Sequence, residues 1–104
     1  MNGLTERHRF EWNGILLEIT YEPQWLPPGI LGEDLAHLQV YSVDPIDAPL
    51  PITESGYRSH FIAASAIAAG GGPVAYVDVW LTVESDAPSW QAREQATRQL
   101  TLLF

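Results

Sequence analysis

"RHRFEWNGILLEITYE", Arg7 to Glu22, is the stretch on which the fold turns. Two runs of alternating apolar and polar residues flank Asn13-Gly14, the dipeptide most at home in a two-residue β-turn because both of its residues tolerate positive φ. A two-residue loop pairs Trp12 with Ile15. In that register His8, Phe10 and Trp12 share a face with Ile15, Leu17, Ile19 and Tyr21, while Arg7, Arg9 and Glu11 share the other with Leu16, Glu18, Thr20 and Glu22. Turn chemistry and alternation therefore specify one hairpin with one apolar side.

Moving outward, "EPQWLPPGILGED" is broken by three prolines and two glycines and reads as a loop, with Trp25 capping an edge of the core. "LAHLQVYSV" alternates again and predicts a third strand, with Ala36, Leu38 and Val40 on one side and His37, Gln39 and Tyr41 on the other. "DPIDAPLPITESG" is a second loop, held extended by Pro45, Pro49 and Pro51. After Gly56 the texture changes. "FIAASAIAA" is alanine-rich and predicts a short helix, and "GGGP" breaks it. "VAYVDVWLTVES" fits a strand by its β-branched content and a helix by its spacing, which sets Asp78, Thr82 and Ser85 opposite Val77 and Leu81. The Gly72-Pro73 start and the length favour the helix. "SDAPSWQAREQATRQL" predicts a last helix capped by Ser85 or Asp86, with Trp90, Ala96 and Leu100 on its buried side. The expectation is one α+β domain over 1–104, a three-stranded antiparallel sheet from the N-terminal half packed by two or three helices from the C-terminal half.

Composition narrows the chemistry. With 46% apolar residues in 104 the chain can build a core. It has no cysteine, which removes disulfides, thiolate nucleophiles and Cys-type zinc sites. Its five cations are all arginine (Arg7, Arg9, Arg58, Arg93, Arg98), so no lysine is present for Schiff-base chemistry. A net charge of −8 opposes phosphate backbones, so no direct nucleic-acid binding is expected. "MNGLTERHRFEW" lacks an apolar signal core and the run from Phe61 to Ala69 is too short to span a bilayer, which points to a cytoplasmic protein without membrane contact.

Two segments carry polar or apolar groups in unusual density. "TESGYRSHF" offers Glu54, Tyr57, Arg58, Ser59 and His60 for acid–base, nucleophilic or anion-binding work. In an extended chain neighbours face opposite sides, so Tyr57 would face with Ser59, and Arg58 with His60. The plainer alternative makes Arg58 a buried ion-pair partner of Glu54 or Asp78, with Tyr57 and Phe61 anchoring the loop into the core. His8, His37 and His60 lie on separate elements in no metal-ligand spacing, so they read as half-buried or hydrogen-bonded structural residues, and neither metal nor cofactor is expected. The second segment is the end of the sequence. Gln99-Leu100-Thr101-Leu102-Leu103-Phe104 resembles the short peptide by which bacterial polymerases and repair factors bind the sliding clamp, a Gln followed by a terminal Leu-Phe pair. Its alternative role is to pack Leu100, Leu103 and Phe104 back on the domain.

Taken together, "APLPITESGYRSHF", "GGPVAYVDVWL" and "RQLTLLF" resemble a group of short uncharacterised bacterial proteins, often encoded on plasmids or other mobile elements. The resemblance covers about the last sixty residues, and Gly56 to Phe61 is its most specific part. It implies a genomic setting and no particular reaction. The reading that follows is a small acidic, non-enzymatic protein-interaction module, an accessory factor of a mobile element, engaging a protein partner such as the sliding clamp through Gln99, Leu100, Leu102, Leu103 and Phe104. Two alternatives stand beside it: an acidic inhibitor that imitates DNA charge, and a small enzyme or ligand binder using Tyr57, Arg58, Ser59 and His60.

Overall fold

The computed structural model describes residues 5–26 and 34–103, with the side chains of 101–103 outside that description. Strand β1 (Glu6–Trp12) turns through Asn13-Gly14 into β2 (Ile15–Glu22) with Trp12 opposite Ile15, as the alternation requires. Both turn residues have positive φ, 52° and 79°. An added Cβ on Gly14 would touch nothing within 4 Å. Any cost of substitution there is therefore backbone strain. Gly14→Val is expected to lower stability by at least about 1 kcal/mol, and Gly14→Asn, which tolerates this conformation, to recover most of it. Thermal melts of the two variants beside the parent check this; equal melting temperatures for all three would exclude the turn.

β3 (Leu35–Asp44) pairs antiparallel with β2, with a register shift at Leu16/Leu17, and β4 (Tyr57–Ala63) pairs antiparallel with β3. The sheet thus has four strands in the order β1-β2-β3-β4 rather than the three expected. Tyr57 to Ala63 was hidden by the alanines that follow it. Only Ala64–Ala69 is helical (α1), while the residues before it alternate and close the ladder on β3. α2 (Pro73–Glu84) begins at Pro73 after Gly72, and α3 (Pro88–Leu103) follows a three-residue link. The helical reading of 74–85 is thereby met, with Val77 and Leu81 buried and Asp78 and Thr82 exposed.

One face of the sheet is covered. Leu17, Ile19, Ala36, Leu38 and Val40 point into a core completed by Ile67 of α1, Val77 and Leu81 of α2, and Leu50 and Ile52 of the β3–β4 connection. Each large aliphatic buried here contributes roughly 1.5–3 kcal/mol. The connection is not held extended, as its prolines suggested, but folds on itself. Ser42 Oγ donates to Ala48 O at 2.6 Å, Leu50 and Thr53 form an isolated bridge, and Ser42 N–H donates to Gly56 O at 2.8 Å.

α3 lies beside the β1–β2 turn and the β3–β4 connection, with Thr97 and Arg98 lining a pocket with Ile15, Pro45, Ala48 and Pro49. Trp90 is buried against Trp12, their ring centroids 6.2 Å apart. Arg93 pairs with Glu54, and Asn13 Nδ2 donates to Glu94 Oε2 at 3.4 Å. From Gln95 to Leu100 every residue is exposed, and Ala96 and Leu100 do not continue the buried side that Trp90 begins: Thr97 and Arg98 are the residues turned toward the body. Helix length, about 24 Å for its 16 residues, accounts for the 55 × 23 × 20 Å shape. Ser85 Oγ donates to Thr82 O at the end of α2, and Ala87, whose carbonyl takes the first N–H bonds of α3, holds the position expected for a Ser85 or Asp86 cap.

Candidate functional site: the open face of the sheet

The helices cover one face, the described residues leave the other open, and strand parity decides what stands on it. β4 alternates Tyr57, Ser59 and Phe61 outward with Arg58, His60 and Ile62 toward the helices. The candidate residues Glu54, Tyr57, Arg58, Ser59 and His60 therefore do not form one site. Tyr57 and Ser59 go to the open face, Arg58 and His60 to the other, and Glu54 is drawn away to Arg93.

On the helix side, His60 lies 4.6 Å from the Trp80 ring and 6.4 Å from Tyr76, and the Arg58 guanidinium sits 5.5 Å over Trp80. Arg58 donates to Ile52 O at 3.1 Å and is exposed. This corrects the buried ion pair with Glu54 or Asp78: a cation on an aromatic face needs no carboxylate. Burial first, and the nearby Arg58 charge second, hold the His60 imidazole below its ordinary 6.5. The folded protein keeps His60 neutral at pH values where the unfolded chain protonates it. Stability is therefore complete above pH about 6.5, falls as pH drops below it, and levels off once the folded imidazole also protonates. Urea midpoints between pH 5 and 8 should show this slope in the parent and a shallower one in His60→Asn.

The open face is built from three separated segments. Phe61 stacks on His37, centroids 4.2 Å apart and planes within 6°, as expected of cross-strand partners. Trp25 stands edge-on to Phe61 at 4.7 Å, its backbone N–H donating to Leu35 O at 2.8 Å. Trp25 does not cap the core: it is 46% exposed and Phe61 45%. Nor does Tyr57 anchor the loop inward, since it too lies exposed here. Gln39 links the strands beside this cluster. Its Oε1 accepts from Tyr57 OH at 2.8 Å and Tyr41 OH at 3.0 Å, and its Nε2 donates to Thr20 Oγ1 at 3.1 Å. Burial, then the neighbouring Tyr57 and Glu18, push the Tyr41 phenol up, with Arg7 opposing.

Ser59 Oγ lies 2.7 Å from His37 Nε2, and Glu22 Oε1 lies 3.8 Å from His37 Nδ1. The order hydroxyl–imidazole–carboxylate is that of an activated nucleophile. Yet 3.8 Å is beyond hydrogen-bond reach, so Glu22 does not orient the ring. Ser59 is exposed on an edge strand. The contact ties β4 to β3. What the face offers chemically is a rigid aromatic and amide surface, with Glu18 and Glu22 beside it.

Trp25, His37, Gln39, Tyr41 and Phe61 are read from sequence as structural residues and not as members of a binding site. The alternation of β3 already placed His37, Gln39 and Tyr41 together away from the core. Recognising β4 would have added Tyr57, Ser59 and Phe61. Of the terminal segment, Gln99 and Leu100 are exposed on α3; Leu102 and Leu103 are within the helix with undescribed side chains, and Phe104 lies outside the described residues. Among the described residues, no group of three His, Asp or Glu could hold a metal ion, and no helix is long and apolar enough to cross a membrane.

Residues 5–90 match the family model described as the KlcB third domain. No curated protein and no solved structure matches the chain. The matched stretch takes in the whole sheet, α1 and α2, and stops at Trp90, in the first turn of α3.

Proposed function

This chain belongs to the KlcB third-domain family, and from that premise we propose that it is a non-enzymatic accessory protein of a plasmid or other mobile element that works by holding a protein partner on the open face of its sheet. The observation that carries the reading is the uncovered row Trp25–Phe61–His37, with Tyr57 and Tyr41 beside it around Gln39. Rigid amphipathic rings give large contact area at little entropic cost and are enriched where proteins meet. Arg7, Arg9, Glu11, Glu18 and Glu22 share that face, with Arg9 paired to Glu18; the slight excess of acid there, in a chain of net charge −8, favours a partner with a basic contact surface. The family membership and the likeness to plasmid-encoded proteins support the genomic setting. The test places a photo-activated cross-linking residue at Ser59 in the bacterial host. A single defined protein adduct is expected from position 59 and none from Asp86, far along the chain on the link to α3. An adduct at position 59 that survives Trp25→Ala/Phe61→Ala, or no adduct there at all, would remove the open face from the proposal.

The exposure of Leu100 favours a second route to a partner, in which Gln99, Leu100, Leu102, Leu103 and Phe104 seat in the apolar groove of a sliding clamp. α3 is helical to Leu103, so its last turn would unwind to lie in a groove as an extended segment. Titrating a purified bacterial clamp with the full-length protein and with Leu103→Ala/Phe104→Ala tests this. No binding at about 100 μM, near −5.5 kcal/mol, eliminates the clamp.

A further inference from the structure

We infer that β4 pairs with itself: two copies of this chain join antiparallel through Ser59 and Phe61, about a two-fold axis at His60, and merge their four-stranded sheets into one. In an antiparallel ladder, hydrogen bonds run between directly opposed residues and only at every second pair. Ala64 N–H donates to Asp34 O at 3.0 Å and Ser42 N–H to Gly56 O at 2.8 Å. Both pairs continue the register that sets Ala63 opposite Leu35 and Tyr57 opposite Tyr41. The even-numbered residues of β4 are therefore the ones bonded to β3. Tyr57, Ser59, Phe61 and Ala63 turn their N–H and C=O groups the other way, where β4 ends the sheet. Tyr57 agrees with this parity. Its N–H donates to Ser55 Oγ at 3.4 Å and its carbonyl accepts from Thr53 Oγ1 at 2.8 Å, so hydroxyls of the connection satisfy it. The Ala63 carbonyl is taken by α1, for which Ala63 is the N-cap. Among the described residues, Ser59 and Phe61 are left with both outward groups unpartnered.

That short row is complementary to itself. Laid antiparallel with Ser59 opposite Phe61 of a second copy, it makes two hydrogen bonds at each Ser59–Phe61 pair and displaces nothing. One step in register either way calls on the Tyr57 groups or on the Ala63 carbonyl, which are taken. Side chains fit the same register. On the open face the small Ser59 stands opposite the exposed Phe61 of the other copy, and the two Phe61 rings lie diagonally within reach. On the helix side Arg58 faces Ile62, so no like charges oppose each other. His60 faces His60 across the axis, and burial keeps both imidazoles uncharged at neutral pH. The axis stands perpendicular to the sheet, so the two open faces lie side by side and stay free for a partner. A cross-link from position 59 to a second copy carries twice the chain mass, which tells it from a partner adduct.

Light scattering on the purified full chain at about 100 μM is expected to give twice the chain mass. Ser59→Pro removes an outward N–H and no bond to β3, a place where an edge strand admits proline. It should raise the dissociation constant at least about 100-fold. Ser59→Ala keeps that N–H while losing the His37 contact, and should dimerise as the parent does; circular dichroism checks the fold of both. Because the chain has no cysteine, single-cysteine variants under mild oxidation read the register. At position 60 the two Cα atoms would lie about 4.5 Å apart, within disulfide reach, and at position 58 about 14 Å apart. His60→Cys should therefore cross-link with itself and Arg58→Cys should not. Monomer mass at about 100 μM would leave the row to an extended segment of another protein and overturn the pairing of copies. A dimer that Ser59→Pro leaves intact, or cross-linking at position 58 as readily as at 60, would overturn it as well.

Discussion

Trp90→Ala is expected to lower stability by about 3–5 kcal/mol, the scale for deleting a large buried aromatic, and to release α3 from the sheet. Among the described residues of α3 Trp90 is the buried one; it rests on Trp12 and lines a pocket with Leu50, Pro51 and Ile52. Arg93–Glu54 and Asn13–Glu94, the other ties near it, are solvent-exposed polar contacts of little worth. Without the indole, the helix loses its anchor and with it the tertiary support that keeps it helical. Circular dichroism should therefore show a loss of helix at a temperature where the sheet persists, together with a lowered urea midpoint. Trp90→Phe separates packing from hydrogen bonding. The indole Nε1 is buried without a partner, so phenylalanine removes an unsatisfied donor while keeping most of the ring, and should cost far less than alanine. A parent-like helix signal in Trp90→Ala would mean that α3 is held by something other than this ring.

The second large effect is expected at Gly56. Its φ is +80°, and a Cβ placed there would lie 2.6 Å from the Asp47 carbonyl carbon, which is backbone and cannot swing away. Left-handed strain alone costs a non-glycine residue about 1–2 kcal/mol. The overlap adds the displacement of a connection that is pinned to Ser42 at both Ala48 O and Gly56 O. Gly56→Ala should thus lose at least about 3 kcal/mol. It should also disturb β4, which starts at the next residue. Amide exchange resolved by residue would show this as faster exchange from Tyr57 to Ala63 than from β1 or β2. An unchanged melting temperature would exclude the close approach.

How far each of these features could be read beforehand depended on the range of the interactions behind it. The β1–β2 hairpin and the start of α2 are set within a few residues, by Asn13-Gly14 and by Gly72-Pro73, and both were legible. β4 was not. Its ladder is made with β3, some twenty residues earlier, and alanine propensity just beyond it pulled the reading toward helix. Leu100 went astray for a different reason. Ten residues set it about 80° round the helix from Trp90, and the polar Thr97 and Arg98, not Leu100, are turned toward the body, which an apolar pattern does not announce. The open face was least legible, because Trp25, His37 and Phe61 become neighbours only through the pairing of β3 with β4 and the path of the loop before β3.

The strand order has a consequence for how copies of this protein meet when crowded or newly made. Both β1 and β4 end the sheet, each with one row of backbone N–H and C=O groups facing outward. Such a rim is a template on which another extended chain can grow. On β1 that growth is discouraged by charge, since Glu6, Arg7, Arg9 and Glu11 bring both signs to a strand that must desolvate them to be joined. On β4 the outward groups run only from Tyr57 to Ala63, bounded by the Gly56 turn and by α1; its one arginine, Arg58, is held over Trp80, and Phe61 and Ala63 offer no charge to repel an incoming strand. Amyloid-type addition, wherever it starts in this protein, should start on β4, and a single charged residue in place of Phe61 would blunt it.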